Sequence, residues 1–304
     1  MNSLRALVFI VAAAIAGVGV AFFLADRGPE AGRPPTDVAI AATEAAPTPA
    51  PEIGFYPPDH YDTHGEPFSD AAIDDLMATL DELMARAETA EDFEREANVH
   101  LWRYATRLSM GYVTPEQETR VVDHLDGLAE SYPEAAEDLA ATRFMVENLM
   151  LGREAPDIVG KDLDGVEFRL SDYRGKVVAI VFTGQWCGPC RSEYPYQRLL
   201  LEVMDPEEFV LLGVNSDADI EVAKQGKADA ELDYRAWWDG YAEENTKGPI
   251  ATQWNVTGWP TIYVLDENGV IRRRGPRQEK LITAAKELVA EMNSRQAEGG
   301  DDNP

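Results

Sequence analysis

Trp186-Cys187-Gly188-Pro189-Cys190 is the stretch whose reading decides the fold. It holds the only two cysteines of the 304 residues, three positions apart. A continuous apolar run, Val177 to Phe182, leads into it, and an amphipathic run, Ser192 to Val203, leads out. The pattern predicts a buried strand, a cysteine pair at a turn, and a helix. A cysteine at a helix N-terminus faces backbone N–H groups that have no partner within the helix, and the positive end of the helix dipole. Both favour the thiolate, the form that attacks a disulfide. The second cysteine falls one turn further along the same face. There it can close onto the first and release a mixed disulfide. Cys187 is therefore the expected nucleophile and Cys190 the expected resolving thiol. The redox-active disulfide between them is the expected working group, with no added cofactor.

A zinc site is one rival use of such a pair, and it needs two more Cys or His ligands. The four histidines, His60, His64, His100 and His124, all lie far upstream, so no metal is expected. A purely structural disulfide is another. Closing a two-residue loop removes little chain entropy, and Gly-Pro between the sulfurs is turn chemistry.

Five motifs occur in order at plausible spacing over the C-terminal half of the chain. Ala155-Pro156-Asp157 is followed by Leu170-Ser171-Asp172-Tyr173-Arg174-Gly175-Lys176-Val177-Val178. The cysteine motif comes next, then Pro195 inside the expected helix, then Gly258-Trp259-Pro260-Thr261, then Asp266-Glu267-Asn268-Gly269. Together they resemble the thioredoxin superfamily, and within it the membrane-anchored thiol–disulfide oxidoreductases of the TlpA/ResA group, related to the AhpC/TSA redoxins. The resemblance implies an α/β thioredoxin-like fold, a mixed sheet with helices on both faces. It implies that Pro195 kinks the active-site helix. It also implies that Pro260 is cis and that its loop lies against the cysteines, with the backbone of Trp259 pairing with an incoming peptide as an added strand. Trp186 is expected to cover one side of the cysteines. Trp186, Trp259 and Pro260 are thus the expected substrate-binding residues. Glu193, three residues after Cys190, matches an acidic residue that ResA-type proteins carry below the disulfide. A carboxylate screened from water has a raised pKa and can relay protons as thiols turn over. The alternative is an exposed first-turn glutamate that complements the helix dipole. The other acid position, in the strand before the motif, is taken here by Val181.

Further out, the chain divides by composition. Ala6 to Ala25 is an uncharged run long enough to cross a bilayer as a helix. It reads as a signal-anchor, residues 1–25, holding the chain to a lipid bilayer through residues 6–25; a cleaved signal peptide stays open. Residues 26–68, rich in Pro, Ala, Thr and Glu, read as a disordered linker. Residues 69–152 read as a small all-α domain. Ser69 caps a first helix through Met84. A second runs from Ala90 to Met110, a third opens at Thr114-Pro115-Glu116-Gln117 and runs to Ser131, and a fourth spans Pro133 to Leu151. Residues 153–293 carry the thioredoxin-like pattern. Its expected strands are Val166–Leu170, Val177–Phe182, Phe209–Val214, Tyr234–Trp238, Thr261–Leu265 and Val270–Arg274, and its closing helix is Gln278–Met292. Residues 294–304 read as a disordered acidic tail. Trp237, Trp238 and Trp254 read as core or interface residues.

Net charge is −28, which excludes nucleic acid as a partner. Gly188-Pro189 is the thioredoxin dipeptide and implies a reducing couple, about −200 to −270 mV. The expected protein is a single-pass component of a bacterial cytoplasmic membrane, its C-terminal body in the periplasm or extracytoplasmic space. Its expected activity is reduction of disulfides in extracytoplasmic proteins. A reducing couple in that space needs a membrane thiol electron donor. Two other classes stay open: a thiol peroxidase of AhpC/TSA type, which wants a single peroxidatic cysteine, and an adaptor whose helical part binds a partner.

Overall fold

The computed structural model describes residues 68–85, 101, 104–105, 107–108, 111–240 and 247–300. The apolar run 6–25, the linker through residue 67, most of the expected second helix and residues 301–304 lie outside the described residues. The described residues belong to one compact unit. Among them no helix is long and apolar enough to cross a membrane.

Helix α1 (Asp70–Met84) starts where the sequence predicts, with the Ser69 side chain accepting from Ala72 N at 3.2 Å. Ile73, Leu76, Leu80 and Met84 recur at three- and four-residue steps and are buried. Leu101, Tyr104, Ala105 and Leu108 are helical and buried as well. Helix α2 (Pro115–Ser131) opens with a capping box. Thr114 Oγ1 accepts from Gln117 N, and Gln117 Oε1 accepts from Thr114 N. The expected fourth helix is shorter than its pattern. Pro133–Ala135 form a 3-10 turn, and α3 (Ala136–Asn148) stops three residues before Leu151. Leu149, Met150 and Leu151 leave the helix to enter the core, and Gly152, at φ +86°, turns the chain as few side-chain-bearing residues would.

Beyond that turn, β1 (Val159–Lys161) and β2 (Glu167–Arg169) form an antiparallel hairpin. The alternation at 166–170 predicts only its second strand, and Leu170 starts a 3-10 turn rather than ending a strand. The main sheet follows: β3 (Val177–Thr183), β4 (Phe209–Asn215), β5 (Arg235–Trp238), β6 (Thr261–Leu265) and β7 (Ile271–Arg274). Its order is β5-β4-β3-β6-β7, with β3, β4 and β5 parallel and β6 and β7 antiparallel to their neighbours. This is the mixed sheet of the thioredoxin-like fold. Between the strands run α4 (Gly188–Val203), α5 (Ile220–Asp229) and α6 (Pro249–Gln253), and α7 (Glu279–Gly300) closes the fold.

Every residue of β3 is buried, which is why its sequence is a continuous apolar run rather than an alternating one. Its two faces serve different clusters. Val177, Ala179 and Val181 pack with Tyr194 and Leu200 of α4 and with Leu281, Ala285 and Leu288 of α7. Val178, Ile180 and Phe182 belong to a cluster that continues through Tyr263, Trp254, Met150 and Leu149 to Leu125 and Ile73. The helices at 70–148 and the sheet thus share one apolar core.

Helix α7 runs past Ser294 to Gly300, where the polar composition predicts a disordered tail. Arg295 explains part of this: its guanidinium bonds Glu267 at 2.9 and 3.1 Å and anchors that turn to the sheet. Trp237 and Trp254 are fully buried, and Trp238 is 37% exposed at the end of β5.

Asp239 clasps the segment between β5 and α6. Its carboxylate accepts from Gly248 N at 3.1 Å, Ile250 N at 2.7 Å and Ala251 N at 3.1 Å. A side chain on Gly248 would strike the Asp239 backbone, so glycine is required there. Burial pushes the Asp239 carboxyl above its ordinary range, against the pull of those three donors. Asp239→Asn presents one oxygen and an NH2 to three N–H groups. We expect it to cost about 1–3 kcal/mol of stability in denaturant titrations, the range for stranding a buried donor.

Candidate active site

The cysteine pair sits where β3 hands over to α4. Cys187 is the N-cap of α4, Pro189 occupies its first turn, and Cys190 N donates to Cys187 Sγ at 3.1 Å. Cys187 and Cys190 are joined in a disulfide with S–S 2.08 Å. Cys190 is fully buried, while Cys187 keeps a sliver of exposure at 4%. The cysteine that keeps some exposure is therefore the one at the helix N-terminus, where an N–H and the helix dipole both stabilise negative charge.

The inward stripe of α4 is Cys190, Glu193, Tyr194, Gln197 and Leu200. Glu193 is 4% exposed and accepts from Gln278 N at 2.8 Å, so it is not the exposed first-turn glutamate. Its carboxylate lies one turn along from Cys190, on the same buried stripe. Burial raises the pKa of the phenol of Tyr194, the next residue of α4. Pro195 lies within α4 and removes one N–H from the helix ladder.

The Trp259–Pro260 peptide bond is cis. Pro260 O accepts from the Arg277 guanidinium, and Gln278 N bonds Glu193. The two residues preceding α7 thus hold both the proline loop and the buried carboxylate. Trp186 and Trp259 meet edge to face, ring centroids 5.3 Å apart and planes at 68°. Trp186 is 46% exposed. Gly184 makes its pose possible, since a Cβ there would lie 2.5 Å from Trp186 Nε1. The structure therefore brings the expected site residues into two groups. Cys187, Cys190 and Glu193 line the start of α4, and Trp186 meets Trp259, the residue before Pro260, edge to face.

Sequence reasoning missed the turn after β4. Asn215, Ser216 and Asp217 are all buried. Asp217 Oδ1 accepts from Gln185 N at 2.7 Å, and its Oδ2 from Asn215 Nδ2 at 2.8 Å. Ser216 N donates to Thr183 O at 2.9 Å. This turn fixes the segment that presents the cysteines. An Asn-Ser-Asp triplet reads as an ordinary loop, and the only signal available was its place at the C-terminal end of a buried strand.

Residues 151–274 match the AhpC/TSA family. The thiol-disulfide oxidoreductase ResA of Geobacillus kaustophilus is 33% identical over 135 residues, 43% of this chain and 74% of that protein. The thioredoxin-like protein YneN of Bacillus subtilis is 36% identical over 122 residues, 40% of this chain and 68% of that one. Among solved structures, the thioredoxin domain of a thiol-disulfide oxidoreductase from Bacteroides vulgatus covers 47% of this chain and 99% of its own, at 25% identity and TM-score 0.42. By its match to ResA, this chain belongs to the TlpA/ResA-like thiol–disulfide oxidoreductases of the thioredoxin superfamily.

Proposed function

We propose that the protein reduces disulfides of extracytoplasmic proteins through Cys187 and Cys190, anchored to the membrane by residues 6–25. The observation that carries this reading is the cysteine pair itself: the slightly more exposed cysteine at the N-terminus of α4, the fully buried one a turn further on. In the reduced protein, the Cys187 thiolate attacks one sulfur of the substrate disulfide. An S–S bond forms between Cys187 and substrate, and the other substrate sulfur leaves as a thiolate. The Cys190 thiol gives its proton to Glu193 and attacks Cys187 Sγ. The Cys187–Cys190 bond forms, and the second substrate sulfur leaves and is protonated. Two electrons pass to the substrate; the second thiolate takes the Cys190 proton back from Glu193, and the first takes its proton from water. Backbone at Trp259 aligns the substrate as an added strand. A membrane thiol donor restores the dithiol. Anchoring rests on the uncharged run Ala6–Ala25. The paired cysteines favour exchange over peroxidase chemistry.

The test is the redox equilibrium of the full chain against glutathione and dithiothreitol buffers. We expect a reversible two-electron couple at about −200 to −270 mV. A value above about −150 mV would make the protein an oxidant or isomerase rather than a reductase. Protease accessibility of the body in spheroplasts checks the location.

Glu193→Gln keeps an acceptor for Gln278 N and removes the proton relay. We expect kcat to fall about tenfold to a hundredfold at neutral pH, with the single-turnover rate of the first attack by Cys187 unchanged. Lost stability with an unchanged kcat would reduce Glu193 to a packing residue.

A further inference from the structure

Three tryptophans converge on two consecutive residues of the turn that holds the segment before the cysteines. Trp186 Nε1 donates to Ser216 O at 3.3 Å, Trp259 Nε1 to Ser216 Oγ at 3.3 Å, and Trp238 Nε1 to Asp217 O at 3.1 Å. Each indole spends its one hydrogen-bond donor on this turn. What remains for a partner is ring face and ring edge. Trp186 and Trp238 are the exposed tryptophans among the described residues. The right-angled Trp186–Trp259 pair makes a corner rather than a flat wall.

We infer that Ser216 is a positioning residue for substrate selection: by holding Trp186 and Trp259 at that angle, it selects substrate segments with an aromatic or large apolar residue beside the reactive cysteine. The inference rests on the exchange reaction proposed above. An aromatic ring fits a corner of two indoles with edge-to-face and offset contacts. A carboxylate is disfavoured twice over, by the negative π faces and by the chain's net charge of −28. Ser216 is fully buried, and its hydroxyl acts through the Trp259 indole, while its backbone, which alanine keeps, bonds Trp186 and Thr183.

The experiment uses the full chain with three disulfides, dithiothreitol sustaining turnover. Two are extended peptides whose single cysteine is capped by glutathione, with phenylalanine or aspartate next to it. The third is hydroxyethyl disulfide, too small to reach the corner. We expect the wild-type chain to favour the phenylalanine peptide about tenfold in kcat/KM. Ser216→Ala should cut that preference to about twofold by raising KM with kcat unchanged, and leave hydroxyethyl disulfide turnover unaltered. In a Trp259→Phe background, which lacks the indole N–H, Ser216→Ala should add nothing. The inference is overturned if Ser216→Ala slows all three disulfides alike, if it leaves the preference intact, or if the wild-type chain shows no preference. A wild-type chain inert toward all three overturns the exchange reading itself.

Discussion

Cys187→Ser is expected to lower kcat/KM for disulfide exchange by about a thousandfold or more, because it removes the attacking atom and no other cysteine stands in. Cys190→Ala has a different expected outcome. The first attack proceeds, since Cys187 keeps its place at the N-terminus of α4, but nothing breaks the bond that forms. The protein reacts once and accumulates as a mixed disulfide, visible as a mass shift that dithiothreitol reverses. The two variants thus separate the roles that the burial difference assigns. Neither should fold badly, since a disulfide spanning a two-residue loop restrains little unfolded chain. Sustained wild-type turnover by Cys190→Ala would show that Cys190 is not the resolving thiol.

Trp254→Ala is expected to cost about 3–5 kcal/mol, the range for emptying a large aromatic site. Trp254 is fully buried, 5.1 Å from the Tyr263 ring and 5.7 Å from Phe182. It lies in the cluster shared by the sheet and the helices at 70–148, and it directly precedes the segment leading to Pro260. A cavity there should lower the unfolding temperature of both parts together, and loosen the proline loop. Trp254→Phe should behave differently. Trp254 Nε1 is buried and finds no acceptor among the described residues. Phenylalanine removes that unsatisfied donor while keeping much of the ring, so we expect a net change within about 1 kcal/mol. Thermal melts followed by far-ultraviolet circular dichroism read both variants. Two separated transitions in Trp254→Ala would mean that the helices and the sheet fold independently.

The parts of the fold legible in the sequence are those whose signal is local. Thr114 and Gln117 cap α2 because four adjacent residues contain the whole device. The spacing of Leu281, Ala284, Ala285, Leu288 and Val289 announces the buried stripe of α7, and all five are buried. Cys187 and Cys190 carry their own chemistry in their spacing. What was not legible depends on partners far along the chain. The β1 strand is three residues long and is held by Trp237, whose ring stacks on Phe168 at 4.1 Å. Asp239 reads as a surface acid until Gly248, Ile250 and Ala251 are placed around it. Helix α7 outlasts its apolar stripe because Arg295 reaches Glu267, a pairing that periodicity cannot register. Ser216 is a small polar residue in a loop, and its two indole partners stand 30 and 43 positions away.

Both margins of the main sheet are occupied. At β5, Asp162 forms a bridge with Trp237. At β7, Gly152 N and Arg153 O bond Ile271, and Glu154 bridges Val270. The rest of β7 is Arg272, Arg273 and Arg274, of which Arg272 pairs with Asp266 and Glu291 and Arg273 with Glu287. Unpaired strand margins recruit other extended chains, and cationic side chains there discourage it. A thiol–disulfide oxidoreductase acting on proteins, as proposed above, meets clients that are partly unfolded and prone to stick. Covered and charged margins let such a protein hold a client's cysteine without seeding an aggregate on its own sheet.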